Sequence, residues 1–84
     1  MAVSDVISLS ILTPEGQLAD LMVEKVVLPG MKGRFMVLKN HAPLISSLEE
    51  GDVVYMADGM EGRVHILSGF AEINANKVIV CSEV

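Results

Sequence analysis

The residues of this 84-residue chain able to do chemistry are few, and their spacing does not assemble an active site. His41 sits in Lys39-Asn40-His41-Ala42-Pro43-Leu44, and as a general base it would need a nucleophile and an orienting carboxylate converging on it. No G-x-S-x-G segment supplies the nucleophile. Cys81, the single cysteine, closes the apolar run Val78-Ile79-Val80, where a buried, inert thiol is expected. One cysteine excludes an internal disulfide and, with two histidines, a Cys/His-rich zinc site. Glu49, Glu50 and Asp52 crowd one turn, but the alternating oxygen ligands and terminal Glu of a calcium loop are missing, so they read as solvated acids. The glycines form neither G-x-G-x-x-G nor a phosphate loop ahead of a helix. The expectation is a non-catalytic chain with no cofactor and no metal.

The elements that position these residues follow from the punctuation. Turn residues recur at Thr13-Pro14-Glu15-Gly16, at Pro29-Gly30 through Gly33, at Glu49-Glu50-Gly51-Asp52, at Asp58-Gly59 through Gly62, and at Asn74-Ala75-Asn76. Between them lie runs of about 5–9 residues rich in Val, Ile, Leu and Met, the pattern of short strands. Ile7, Leu9 and Ile11 alternate with Ser8 and Ser10, and Val64 and Ile66 with Arg63 and His65, which predicts half-buried antiparallel strands. Residues 22–28 read as one strand that is partly apolar on both faces, and the Ile/Val content near both termini puts the end strands in the sheet. The predicted fold is all-β: one domain over 1–84, an antiparallel β-sandwich or flattened barrel of about 8–10 short strands, with no helix longer than two turns.

Composition narrows the function further. The chain is 51% hydrophobic with a mean hydropathy of +0.51, more apolar surface than a domain this small can hide, so an obligate protein partner is expected. A net charge of −5 and three aromatics argue against nucleic acid. The longest uninterrupted apolar runs, such as Val53-Val54-Tyr55-Met56-Ala57, are too short for a transmembrane helix. Met-Ala-Val-Ser-Asp shows neither a basic n-region nor an Arg-rich stretch, so the chain is expected to work where it is made, in a reducing compartment. A free-standing β adaptor remains open on these grounds.

Two motif-level resemblances sharpen this. Met31-Lys32 on the turn at 30–33 resembles the modified lysine of biotinyl and lipoyl carrier domains, although Gly33 stands where a biotinyl site has a second Met. The wider resemblance rests on Val23-Glu24-Lys25-Val26, Pro29-Gly30-Met31-Lys32-Gly33-Arg34-Phe35, His41-Ala42-Pro43-Leu44-Ile45, Leu67-Ser68-Gly69-Phe70-Ala71-Glu72-Ile73 and Asn76-Lys77-Val78-Ile79-Val80. In order and spacing these segments are similar to the N-terminal β-sandwich of the epsilon subunit of F-type ATP synthases, called delta in mitochondria. Lys39-Asn40 replaces the usual Pro-Gly before His-Ala-Pro-Leu, and Asn tolerates the positive φ that Gly would supply. Arg34 reverses the charge of a contact residue that is often Glu, and one glycine of the usual Ser-Gly-Gly is missing at Ser68-Gly69-Phe70.

The resemblance implies a non-catalytic rotor subunit in the central stalk. Such a subunit joins the gamma shaft to the c-ring and couples proton or sodium flow to ATP synthesis, peripheral to the cytoplasmic face of a bacterial inner membrane. Carried over by position, Gly30, Met31, Lys32, Gly33 and Arg34 are implied to face the c-ring, and Thr13, His41 and Ser46 to face gamma. The inhibitory and ATP-sensing roles of the family's C-terminal helices are not implied by these segments.

Overall fold

Alternation decides the first strand: Ile7, Leu9 and Ile11 are fully buried while Ser8 and Ser10 take the opposite face, as a period of two requires. The structure is a computed structural model and describes residues 6–83. Within them the strands are β1 (Ile7–Thr13), β2 (Gly16–Val23), β3 (Lys25–Leu28), β4 (Phe35–Val37), β5 (Leu44–Leu48), β6 (Gly51–Ala57), β7 (Met60–Ile66), β8 (Ser68–Asn74) and β9 (Lys77–Glu83). They form a five-stranded sheet in the order β2-β1-β9-β8-β5 and a four-stranded sheet in the order β4-β3-β6-β7. The inner faces meet in one core: Ile7, Leu9, Ile11, Ala71, Ile73, Val78 and Val80 from the larger sheet interlock with Val26, Leu28, Val37, Val53 and Ile66 from the smaller. This is the all-β sandwich that the turn spacing predicts, and no helix of the described residues is long and apolar enough to cross a membrane.

The turns explain the register. Asp58 (φ 53°) and Gly59 (φ 75°) make the two-residue hairpin loop between β6 and β7, and Ala75 (φ 51°) with Asn76 (φ 62°) makes the equivalent loop between β8 and β9. Asn40 takes φ 67°, as its replacement of a glycine anticipates, and its N–H donates to Asn76 Oδ1 at 2.7 Å.

Four details depart from the reading of the sequence. Residues 22–28 are two strands, because at Glu24 the chain crosses between sheets, its N–H donating to Met56 O at 2.7 Å. The end strands are neighbours, but β1 and β9 run parallel, with Ser8 opposite Lys77 and Leu12 opposite Cys81, inside an otherwise antiparallel arrangement. Gly62 is a strand residue facing Tyr55, not part of a turn. Cys81 is half-exposed on the outer face, since Val78 and Val80 take the inward positions of β9.

Candidate interaction surfaces

The loop at 29–34 joins β3 to β4, whose last pair is Leu28 with Phe35. Gly30 has no room for a side chain, with Gly33 O at 2.7 Å and the Phe35 ring at 2.9 Å from where a Cβ would stand. Gly33 adopts φ 126° and its N–H closes the turn on Gly30 O at 3.0 Å. The loop does not project freely. Met31 N–H donates to Ser47 O at 3.0 Å, Glu49 N–H to Pro29 O at 2.9 Å, and Arg34 Nη2 to Asp52 O at 2.9 Å, so its backbone lies against β5 and the start of β6. Met31 stays 62% exposed.

Beside the loop lies the outer face of the five-stranded sheet. Strand register puts Ser47, Phe70, Cys81 and Leu12 in one row across it and Ile45, Glu72, Ile79 and Ser10 in the next. An exposed sheet face is ordinarily polar. Here Ile45 is 73% and Phe70 49% exposed, and with Leu12 and Cys81 they make an apolar strip. At its end a groove of about 620 Å³ joins Leu12, Thr13, Met31, Phe70 and Cys81 into one surface.

The outer face of the smaller sheet is ionic where β6 meets β7. His65 Nδ1 lies 2.8 Å from Asp52 Oδ1 and Nε2 3.2 Å from Glu50 Oε2; Arg63 bonds Asp52 Oδ2 at 3.1 Å and Glu61 Oε2 at 2.8 Å. The Asp52 contact, then Glu50, raises the His65 pKa above its ordinary value, and His65, then Arg63, holds the Asp52 carboxyl below the usual range. Reading the acids of this turn as merely solvated misses the cluster.

The sequence pattern described as ATP synthase, Delta/Epsilon chain, beta-sandwich domain matches residues 6–84. The chain belongs to this family. Among curated members of the Delta/Epsilon family it is 40% identical over 77 residues to the ATP synthase epsilon chain of Carboxydothermus hydrogenoformans, covering 92% of this chain and 58% of that protein. To the epsilon chain of Chlorobaculum tepidum it is 39% identical over 85 residues, covering 99% of this chain and 97% of that one. The chain thus spans well under two thirds of the first of these relatives. In fold it resembles a chain of the Euglena gracilis mitochondrial ATP synthase with TM-score 0.87 at 19% identity, over 98% of this chain and 53% of that chain. A chain of the Tetrahymena thermophila mitochondrial ATP synthase central stalk and c-ring gives TM-score 0.76 at 12% identity, over 92% and 63% respectively.

Within this Delta/Epsilon sandwich the residues singled out from the sequence fall into three places. Gly30, Met31, Lys32, Gly33 and Arg34 form one loop, and Ser46 lines a groove with them from β5, its Oγ donating to Ser47 O at 3.1 Å. Thr13 shares the other groove with Met31, and its Oγ1 closes the β1–β2 turn on Gly16 O at 2.9 Å. His41 stands apart, before β5 rather than at its Leu48 end, with its N–H on Leu38 O at 3.1 Å and Nδ1 2.7 Å from Ala42 O. The apolar strip was missed as a unit, although Phe70, Ile79 and Cys81 at alternate positions of their strands signal it.

Proposed function

We propose that this chain is a non-catalytic rotor subunit of the central stalk of an F-type ATP synthase, linking a gamma shaft to a c-ring so that ion flow is coupled to ATP synthesis. In this reading it is peripheral to the membrane, at the cytoplasmic face of a bacterial inner membrane. Family membership supports it, and the observation that carries it is the apolar surface running from Met31 through Phe70 and Cys81 to Leu12 and Thr13. A joint that bears torque needs a rigid body with an extended, desolvated contact, and a two-layer sandwich with one apolar outer face provides both. Gly30, Met31, Lys32, Gly33 and Arg34 are the ring-facing loop, with Thr13, His41 and Ser46 toward the shaft.

The test is assembly. Tagged chain expressed with the remaining stalk and ring subunits of its own source should co-purify with gamma and the ring, and Phe70→Glu should abolish this while the variant stays folded. Recovery without either partner overturns the rotor reading. A biotin or lipoate mass increment on Lys32 would install the carrier reading in its place, and stoichiometric recovery with an unrelated protein the adaptor reading.

A further inference from the structure

Both ring nitrogens of His65 meet carboxylate oxygens, Asp52 Oδ1 at Nδ1 and Glu50 Oε2 at Nε2. A neutral imidazole has one N–H and turns a lone pair outward at its other nitrogen, which repels a carboxylate; only the imidazolium donates at both. Asp52 is also the residue whose backbone carbonyl accepts Arg34. We propose that His65, Glu50 and Asp52 form a protonation-operated latch that clamps the β5–β6 turn to β7 and, through Asp52 and Pro29, steadies the 29–34 loop. The inference uses contacts within this chain and does not depend on the rotor reading.

The geometry says which contact gives way. Asp52 is held twice, by His65 at Oδ1 and by Arg63 at Oδ2, and it is the direct cross-strand partner of His65 in the β6–β7 ladder. Glu50 lies outside the ladder and reaches His65 by its side chain alone. When the imidazole loses a proton, the N–H that remains stays on Asp52 at the shorter distance, and the lone pair at Nε2 expels Glu50. The turn that Glu50 belongs to touches the loop directly: Glu49 N–H donates to Pro29 O, and Gly51 packs against Pro29 so closely that a Cβ there would lie 3.0 Å from Pro29 Cβ. Release of Glu50 therefore loosens the turn on which Pro29 rests, while Asp52, whose carbonyl holds Arg34, stays in the ladder.

The charges around His65 set the direction. Asp52 faces it from β6, Glu50 from the β5–β6 turn with Glu49 adjacent in the chain, and Arg63 from β7 itself, where Arg63 is also tied to Glu61. Arg34 approaches Asp52 from the loop, and Lys25 of β3 lies farther off, opposite Met56. The acids outweigh the one cation beside the ring, so the imidazolium is favoured. A His pKa raised by folding adds stability that is complete below the ordinary value of about 6.5 and disappears as pH rises through the raised value. Asp52, shifted down, contributes above its ordinary value and loses that contribution as pH falls through the lowered one. The latch is closed between these limits and opens on the alkaline side.

An NMR titration of the ¹⁵N-labelled 84-residue chain between about pH 5 and 9 tests this. The His65 ring should titrate with a midpoint that falls in Glu50→Gln, and the Glu49 and Gly51 amide signals should shift with the same midpoint as the ring. In His65→Gln that amide transition should vanish while the β-sheet circular dichroism is kept. An unchanged His65 midpoint in Glu50→Gln overturns the latch, as does an amide transition at Glu49 and Gly51 that survives His65→Gln or is absent from the parent. Because the substituted side chains are exposed, the variants should fold; if His65→Gln does not, the Glu50→Gln comparison decides alone.

Discussion

The carbonyl oxygen of Cys81 fills the space that a Cβ on Gly69 would occupy, so β8 and β9 approach there more closely than any other residue permits. Gly69 also adopts φ 152°, in the region that side chains avoid. Gly69→Ala should therefore cost more than about 2 kcal/mol, through strain and backbone collision together. Gly62→Ala meets the Tyr55 ring instead of backbone, and a ring can swing away for about 1 kcal/mol. Urea denaturation of both variants checks the order, and equal losses would mean that β9 yields as readily as a side chain.

Inner and outer faces should separate in their effects. Leu9 is fully buried in β1, and Leu9→Ala should lose about 2–5 kcal/mol. Ile45→Ala, at 73% exposure, should change stability by less than about 0.5 kcal/mol yet weaken stalk assembly. Thermal melts and pull-downs of the two variants test this; an Ile45 variant that assembles normally would remove it from the contact surface.

Lys32 and Arg34 carry the positive charge of the loop, but they are not equivalent. Arg34 is tied to Asp52 O, while among the described residues Lys32 makes no hydrogen bond or ion pair. Lys32→Glu should leave the melting temperature unchanged and reduce ring attachment in a salt-dependent way. Arg34→Glu should both reduce attachment and lower the melt slightly, because it places a carboxylate against a carbonyl. Attachment insensitive to salt in both variants would argue against a charged ring contact.

His41 is held by local backbone contacts within 38–42, on a loop fixed to Asn76 through Asn40. His41→Ala should change the free chain's stability by less than about 1 kcal/mol and weaken shaft binding by about 1–2 kcal/mol. Dissociation rates and melts measured together decide: normal binding with an early melt would make His41 a structural residue.

Much of this architecture is legible in the residues, and the gaps have physical causes. Alternation in β1 and β7 and the Asp58-Gly59 turn were readable because burial of one face and positive φ each leave a local mark. The cluster around His65 was missed: a turn confined to Asp58-Gly59 sets Asp52 opposite His65, but a turn carried on to Gly62 hides that pairing. Glu24 was not readable either, since a crossing between sheets uses the same extended backbone as a continuous strand. Nor was the pairing of β1 with β9, whose partners lie almost a whole chain apart. The outward turn of Cys81 was legible, since it follows from alternation with Val78 and Val80.

The parallel pairing of β1 with β9 has a consequence for synthesis on the ribosome. Both strands sit in the middle of the five-stranded sheet, and the Ser82 hydroxyl that bonds Leu12 O does so across 70 residues of sequence. A nascent chain can form the β1–β2 hairpin early, but Ile7, Leu9 and Ile11 keep an open edge until β9 has cleared the exit tunnel. Closure of so long a loop is entropically costly before any contact rewards it, so completion of the larger sheet should be slow and should wait on β9. During that interval the unpaired edge of β1 is a template for wrong partners, and the polar Ser8 and Ser10 on its other face temper that aggregation.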